Sequence, residues 1–307
     1  MEQHKNSGRA LKITLIVLLA VGLIVSVLPF GAETSWRSIF RFFGLSDFAA
    51  AADNAPFSVH VLDVGKADSI FIACGGKYML VDGGTADCGK TIAEYLDRRG
   101  VKKLDYVFNT HPDADHIGGL AYIIRHYKVE QYFEPTIPAS LIPKGEEYTA
   151  VHAALAQTNT AKGNPRRGDS LYLGDLQIKV LAPVNAGDST NNNSIVLKLT
   201  FGTNRFLLMG DAEKEEELDL LGSGENLSAD VLKIGHHGSL TSTSEPFLQA
   251  VHPEIAAVSV AYDTSKLPKK DVLKRLWDAK IPVYRTDVSG TLVFTSDGRK
   301  INVITEK

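Results

Sequence analysis

The chain has 307 residues, of which 44% are hydrophobic and 22% are charged. This composition is typical of a globular protein and excludes a wholly disordered or fibrous one. Lysine and arginine number 33 and aspartate and glutamate 36, so the formal net charge of −3 excludes a histone-like basic protein. It leaves open an enzyme that contacts its substrate at a local site.

The beginning of the chain is predicted to be a cytoplasmic tail followed by a transmembrane anchor. Residues 1–12 carry a net charge of +2, and residues 13–32 are twenty consecutive uncharged residues. At about 1.5 Å per residue such a helix is roughly 30 Å long, enough to cross a bilayer. The positive flank favours a cytoplasmic N-terminus and places the rest of the chain outside the membrane. A cleaved signal peptide, which would give a secreted protein, is the alternative.

Residues 33–56 are predicted to be a juxtamembrane linker, and residues 57–307 a single folded domain. Aromatic residues between positions 36 and 43 suit either an interfacial helix or a tether packed on its own domain. Residues 13–56 carry a charge of −1, which leaves −4 for the folded domain. Such a charge disfavours strong non-specific binding to DNA, because that affinity comes from many phosphate contacts.

Strand-like and helix-like segments alternate through the folded domain without a linker-like break, which is typical of one α/β domain. Strands are predicted at 58–64, 68–74, 77–82, 104–110, 170–183, 194–202, 204–211, 229–237, 255–261, 282–285 and 291–305. Helices are predicted at 88–99, at 117–127, near 147–158, from 213 and around 269–280. The stretch 135–169 is the hardest to interpret.

The two cysteines, Cys74 and Cys88, lie fourteen positions apart. Outside the membrane they are allowed to form a disulfide, which in the chain-entropy model would add about 3 kcal/mol of stability. Two unpaired thiols are the alternative, and the sequence leaves both open.

The densest group of potentially catalytic or metal-binding side chains lies at residues 110–119, with the sequence Thr-His-Pro-Asp-Ala-Asp-His-Ile-Gly-Gly. Two imidazoles and two carboxylates follow a predicted buried strand, so their side chains converge on one point. Carboxylates brought this close repel one another unless a counter-ion neutralises them. A divalent cation is the natural partner, and this mixture of ligands suits zinc or a harder ion such as manganese.

This motif resembles the signature of the metallo-β-lactamase superfamily, with Asp113 in place of a histidine. More narrowly, segments in order across the domain resemble the extracellular domain of ComEC-type competence proteins. These segments are HVLDVGKADSI (60–70), MLVDGG (79–84), THPDADHIGGL (110–120), NNNS (191–194), LLMGD (207–211), ADVLKIGHHGS (229–239) and VYRTD (283–287). The resemblance implies an αββα four-layer sandwich with two divalent metal ions at the edge of its sheets.

The resemblance also implies roles for individual residues. His111 and Asp113 are expected to hold one metal, Asp115 and His116 the other, and a further carboxylate to bridge them. The predicted metal ligands are His111, Asp113, Asp115, His116, Asp211 and His236. The predicted catalytic residues are Asp82, Asp115 and His237, with Asp82 orienting the ligand loop through hydrogen bonds.

Adjacent residues on a strand point to opposite faces, so the two histidines His236 and His237 need not share a role. His236 is assigned as ligand and His237 as the group that meets substrate, with the reverse assignment open. The predicted substrate-binding residues are Lys66, Asn192, Asn193 and Ser239. For the two asparagines, a structural turn is an equal alternative.

One departure concerns a histidine that the family places after the strand at 255–261. Leu267 stands there in this chain, and leucine cannot bind a metal or transfer a proton. Either the second metal is held more weakly, Lys266 or Lys269 takes an electrostatic role, or catalysis has been lost. A second departure is Lys66, where the family often has glutamine.

The resemblance implies a metal-dependent hydrolase of phosphodiesters, with DNA as the substrate class and a link to competence. The uncharged segment and its positive flank predict that this hydrolase is membrane-anchored and extracytoplasmic. A cell-surface phosphorylcholine esterase and a catalytically degenerate metal- or DNA-binding surface module are the alternatives. A single spanning helix cannot form the membrane pore of a complete competence channel.

Overall fold

The computed structural model describes residues 50–262 and 265–307. Residues 51–307 form one compact unit with an α/β fold. In the described ranges, no helix is both long enough and apolar enough to cross a bilayer. The tail and anchor predicted at 1–12 and 13–32 lie outside these ranges, as does most of the predicted linker.

Eight strands form the first sheet. Numbered in chain order, they are β1 (Phe57–Val61), β2 (Ile70–Cys74), β3 (Lys77–Val81), β4 (Lys103–Phe108), β5 (Lys128–Phe133), β6 (Ala161–Gly163), β14 (Leu292–Ser296) and β15 (Ile301–Thr305). Their spatial order is β15-β14-β1-β2-β3-β4-β5-β6. The strands from β3 to β6 are parallel, so their carboxyl ends meet at one edge of the sheet.

Seven strands form the second sheet. They are β7 (Ser170–Leu173), β8 (Leu176–Ala182), β9 (Val196–Phe201), β10 (Asn204–Leu208), β11 (Val231–Lys233), β12 (Ile255–Val258) and β13 (Val283–Arg285). The order is β13-β12-β11-β10-β9-β8-β7, and the strands from β10 to β13 are parallel. A second set of carboxyl ends therefore lies at one edge of this sheet.

Helices connect or flank the strands, and several of them pack against a sheet. They are α1 (Ala50–Asp53), α2 (Cys88–Arg98), α3 (Ala114–Ile117), α4 (Leu120–His126), α5 (Glu146–Thr158), α6 (Lys214–Gly222), α7 (Glu245–Val251), α8 (Lys270–Asp278) and α9 (Thr286–Ser289). In α2, Ile92, Ala93 and Leu96 are buried because a spacing of three and four residues places them on one face. Helix α4 contacts α2, α5 and β5.

Side chains alternate between two apolar cores. Phe206 and Leu208 of β10 point into the core between the sheets, whereas Leu207 and Met209 point into a second core. The second core includes residues of α6, α7 and α8, such as Leu220, Phe247 and Leu276. Because a strand alternates its faces with a period of two, one apolar strand fills both cores. The result is the predicted arrangement of helices, sheet, sheet and helices.

Several local predictions need correction. The segments 170–183 and 291–305 are hairpins rather than single strands, because Gly174 and Gly298 adopt positive φ angles of 61° and 89° that reverse the chain. Cys74 and Cys88 are both free thiols, which agrees with the unpaired alternative.

Candidate metal centre

The carboxyl ends of β3, β4, β10 and β11 carry most of the predicted site residues. Asp82 follows β3, the motif at 110–119 follows β4, Asp211 follows β10 and the histidine pair follows β11. A hydrogen bond from the Ile195 amide to the Thr110 carbonyl, 2.8 Å long, joins the ends of the two sheets. Such an edge of parallel strands is where ligands bind in many α/β folds.

The motif after β4 turns directly into a short helix, α3, which carries Asp115 and His116. The next two glycines let this helix approach the loop after β3. A Cβ atom on Gly119 would overlap the carbonyl oxygen of Gly83. The close approach brings His116 and Asp82 together, which explains why small residues follow the ligand motif.

Asp82 orients both histidines of the motif. Its Oδ2 accepts hydrogen bonds from His116 Nδ1 at 2.9 Å and from Thr110 Oγ1 at 2.7 Å, and Thr110 Oγ1 in turn accepts from His111 Nδ1 at 3.1 Å. Its Oδ1 accepts from the Thr110 amide at 2.7 Å. Because a carboxylate only accepts, each Nδ1 is the donor in these contacts, so in the neutral ring the lone pair lies on Nε2. The geometry agrees with the orienting role expected for Asp82.

The histidine pair does not lie on a strand. β11 ends at Lys233, and both His236 and His237 have positive φ, 47° and 51°, so the alternation of faces used in the sequence argument does not apply to them. His237 is buried, and its Nδ1 donates to the Ser259 carbonyl at 2.8 Å. His236 is partly exposed, and its Nδ1 donates to Glu213 at 3.0 Å.

Asp211 lies at the centre of the site. Its Oδ1 is 3.3 Å from His116 Nε2, and its Oδ2 is 3.7 Å from His237 Nε2 and 3.8 Å from His236 Nε2. The Asp211 amide donates to Ser194 Oγ at 3.3 Å. His236 and His237 therefore face the same oxygen of Asp211, and either histidine could bind a metal ion together with that oxygen.

Three overlapping groups of side chains in the described residues could each hold a metal ion, and one of them consists of the buried residues Asp68, Asp82 and His116. The first ligand group is His111, His116 and Asp211, and the second is Asp115, His116 and His237, with the candidate ligand atoms of each within 4.8 Å of one another. Asp113, 39% exposed, lies at the solvent side with its Oδ2 3.9 Å from His111 Nε2.

The buried polar atoms fit a divalent cation. The Nε2 atoms of His111, His116 and His237 and the Oδ1 atom of Asp211 are buried and make no hydrogen bond. Unpaired buried polar atoms are costly, and several of them converge at one place. A cation bound by these lone pairs would remove that cost, which supports a metal centre; the ligand assignments themselves remain predictions.

Charges within the site are strongly coupled. Burial alone would lower the pKa of His116, but Asp211 and Asp82 raise it well above its usual value. Burial alone would raise the pKa of Asp211, but the imidazoles of His237 and His116 hold it well below its usual range. Burial lowers the pKa values of His111 and His237. These two histidines therefore favour the neutral form that binds metal.

The predicted substrate-binding asparagines form structural contacts. Asn192 Nδ2 donates to Glu215 at 2.9 Å, and its Oδ1 accepts from the Glu213 amide at 3.2 Å. Asn193 Nδ2 donates to the carbonyl of Ser189 at 2.6 Å. These contacts favour the turn interpretation. Ser239 is partly exposed, and its Oγ accepts from Thr241 Oγ1 at 2.9 Å.

Leu267 does not face the candidate ligands. Its side chain packs against the second apolar core, between the second sheet and its helices. Lys269 Nζ donates to the Ser265 carbonyl at 2.9 Å, which directs this lysine to its own loop. The geometry therefore gives no support to an electrostatic role for Lys269. Lys66, in contrast, reaches the site, with Nζ 2.9 Å from Asp115 Oδ2.

The sequence reasoning missed a buried ion pair beneath the second ligand group. Lys233 Nζ donates to Asp68 Oδ2 at 2.8 Å, and both side chains are almost completely buried. Asp68 Oδ1 lies 3.8 Å from His237 Nδ1. A lysine within the apolar run VLKIG was the available signal, because a buried lysine requires a partner.

The family assignment follows from this geometry and from a sequence match. The metallo-β-lactamase superfamily profile matches residues 62–261. The chain belongs to the metallo-β-lactamase superfamily. This membership supports a metal-dependent hydrolase in general and confirms the predicted family.

Three relatives support the narrower resemblance. The chain is 34% identical to ComE operon protein 3 of Bacillus subtilis over 262 residues, covering 78% of this chain and 33% of the relative. It is 34% identical to Recombination protein 2 of Haemophilus influenzae over 242 residues, covering 76% and 28%. It is 29% identical to Competence protein ComA of Neisseria gonorrhoeae over 291 residues, covering 93% and 39%. The chain thus spans roughly a third of the length of these relatives.

Solved structures support the fold. CmlA, a diiron β-hydroxylase from Streptomyces venezuelae, aligns with a TM-score of 0.55 and 15% identity, covering 86% of this chain and 60% of that protein. The metallo-β-lactamase fold protein YhfI from Bacillus subtilis aligns with a TM-score of 0.52 and 14% identity, covering 78% and 99%. At these identities the alignments support the sandwich fold alone.

Proposed function

We propose that the folded domain is a metal-dependent phosphodiesterase that cleaves DNA. The observation that carries the proposal is the convergence of unpartnered imidazole nitrogens and carboxylate oxygens at the joined edges of the two sheets. Such a group suits the binding of one or two divalent cations, zinc or manganese. Relatives with "competence" or "recombination" in their names support DNA as the substrate class and a link to DNA uptake.

The side chains have separable tasks in this proposal. A bound divalent cation would offset charge on phosphoryl oxygens and favour deprotonation of an attacking water. Asp82 and Thr110 hold the His111 and His116 rings with their Nε2 lone pairs towards the cation position. The Ser259 carbonyl does the same for His237. The protein thereby orders the ligands before substrate arrives, so little reorganisation is needed during the reaction.

Hydrolysis by the purified full-length chain, with and without added manganese or zinc, tests the proposal. The substrates are bis(p-nitrophenyl) phosphate, single-stranded DNA and a phosphorylcholine ester. We expect metal-dependent DNA cleavage that is lost in His111→Ala and retained in His126→Ala. His126 is a matched control because it is exposed at the end of α4, outside both ligand groups.

Three other outcomes would contradict the proposal in different ways. Cleavage of the phosphorylcholine ester alone would identify a cell-surface esterase. Bound metal without turnover of any ester would identify a degenerate binding module. DNA cleavage that survives in His111→Ala would place the activity outside this centre.

We further propose that the domain lies outside the cytoplasmic membrane, anchored by residues 13–32. The net charge of +2 on residues 1–12 supports this orientation. Protease added to intact cells should degrade the domain and leave the first dozen residues protected. Protection of the domain would reverse the orientation, and a released protein with a new N-terminus near residue 33 would indicate a signal peptide.

A further inference from the structure

Lys66 forms an ion pair with a candidate metal ligand. Its Nζ lies 2.9 Å from Asp115 Oδ2, and the two side chains are 34% and 23% exposed. Lys66 belongs to the loop between β1 and β2, whereas Asp115 belongs to α3. The Asp68 amide donates to the Asp115 carbonyl at 3.1 Å, which holds the lysine-bearing loop against this helix. The packing of the β1–β2 loop against α3 therefore places Lys66 next to Asp115.

The oxygen that Lys66 binds is also the one directed at the second ligand group. Asp115 Oδ2 lies 3.8 Å from His237 Nε2, and that nitrogen is buried without a hydrogen-bond partner. A cation shared by these two atoms would have to bind the same oxygen as the ammonium. Two positive charges would then lie within a few ångströms of each other in a partly buried site, where their repulsion is weakly screened.

Among the described residues, the ion-pair contacts of Asp211 in the first ligand group are all to imidazoles, and none is to a lysine or arginine. Asp211 lies between imidazoles, and its Oδ1 is buried without a hydrogen-bond partner. The cluster is therefore asymmetric, with lone pairs available on the Asp211 side and an ammonium ion bound on the Asp115 side.

We propose that Lys66 takes the place of the second cation: its ammonium group neutralises Asp115, weakens divalent-metal binding at the second ligand group and makes this a one-metal centre at low metal concentration. The proposal deepens the proposed metal-dependent function and rests on it. The lysine stem is long and its head is partly exposed, so a high metal concentration would displace it towards solvent. Lys66 thus sets the metal stoichiometry.

Titration calorimetry of the metal-free, full-length chain with Mn²⁺ at constant pH tests the proposal without any substrate. We expect one tight equivalent and a second that binds at least about tenfold more weakly. Lys66→Gln keeps a hydrogen-bond donor but removes the charge, so it should tighten the second equivalent about tenfold. Lys66→Arg keeps the charge and should resemble the unmodified protein. Electron paramagnetic resonance of the proteins loaded with two equivalents of Mn²⁺ should show more spin coupling between adjacent ions in Lys66→Gln than in the unmodified protein.

Lys103→Gln is the matched control, because Lys103 makes a 3.0 Å ion pair with Asp105 on the first sheet, outside both ligand groups. Its metal binding should be unchanged. Two equally tight ions in the unmodified protein would overturn the proposal. So would weaker metal binding in Lys66→Gln, which would show that Lys66 supports Asp115 as a ligand. Metal binding as expected without DNA cleavage would refute the proposed nuclease function and leave the role of Lys66 standing.

Discussion

Asp82→Asn tests whether the orientation of the imidazoles controls metal binding. Asparagine has nearly the same size as aspartate and tolerates the positive φ of 60° at this position, so the backbone need not change. The substitution replaces one carboxylate oxygen by an NH₂ group. Each oxygen now accepts two hydrogen bonds, so two acceptor contacts are lost whichever way the amide turns.

The two orientations of the amide are not equivalent. With nitrogen at the Oδ1 position it would face the Thr110 amide, which cannot accept a hydrogen bond. With nitrogen at the Oδ2 position it would face Thr110 Oγ1, which can turn and accept, and His116 Nδ1. That ring can accept only by moving its proton to Nε2. The lower-energy orientation therefore puts a proton on the nitrogen that faces the candidate cation.

The expected effect has two parts. Hydrogen bonds to a charged group contribute roughly 1.5–3 kcal/mol each, so the metal-free variant should lose about 3 kcal/mol of unfolding free energy after partial compensation by the amide. Loss of an orienting partner usually lowers metal affinity about 10- to 100-fold. Urea unfolding and metal titration measure the two parts separately, and ¹⁵N spectra of labelled histidine report the tautomer of His116.

Asp105→Asn is the control for this experiment, because Asp105 also accepts a backbone amide hydrogen bond, from Tyr78 at 2.9 Å, but lies outside both ligand groups. It should lose stability and keep its metal affinity. If Asp82→Asn binds metal within twofold of the unmodified protein, or if its His116 keeps the proton on Nδ1, the tautomer argument is wrong.

Three further predictions concern other parts of the domain. Asp211→Ala should remove most of the copurified metal, because Asp211 faces three imidazoles. Unchanged metal content in a folded Asp211→Ala protein would exclude Asp211 as a ligand. Burial and Arg99 lower the pKa of His60 to about 3, so below pH 6.5 the unfolded chain binds a proton at this residue that the folded chain does not. The free energy of unfolding should therefore fall by about 2 kcal/mol between pH 6.5 and pH 5. In urea unfolding, His60→Gln should lose this part of the pH dependence. Leu267→His should lower the melting temperature and leave metal affinity unchanged, because the Leu267 side chain packs against an apolar core. Tighter metal binding in this variant would show that the loop can reach the site.

Much of the fold was predictable because its signals are local. Strands such as β10 carry continuous apolar residues that fill two cores, and α2 carries the periodicity of an amphipathic helix. The helix predicted near 147–158 is confirmed as α5, Glu146–Thr158. β6 was not predicted, because it has three residues and a largely exposed pattern, so no apolar alternation distinguishes it from a loop.

The candidate ligands were predictable as residue types, but their contacts were not. The pairs Lys233 with Asp68 and Lys66 with Asp115 join residues 165 and 49 positions apart, and only the docking of distant segments creates them. The orientation of the histidine pair depends on positive φ angles after β11, for which the glycines on either side gave the only local signal. Sequence spacing identified the chemistry, whereas the arrangement of donors and acceptors required the fold.

The ligand atoms also connect metal binding to the packing of the two sheets. Asp82, His111 and His116 lie on segments that follow strands of the first sheet, whereas Asp211 and His237 follow strands of the second. An unfolded chain does not hold these atoms together, so a metal ion would bind the folded state preferentially. It would stabilise that state by an amount that grows with the ratio of metal concentration to dissociation constant. The Asp68–Lys233 ion pair joins the same two layers. Removing one partner of such a buried pair typically lowers the free energy of unfolding by about 3–5 kcal/mol. The Asp68–Lys233 pair therefore holds the two layers in register beneath the site without a metal ion, and a bound cation would join ligand atoms that the protein has already aligned.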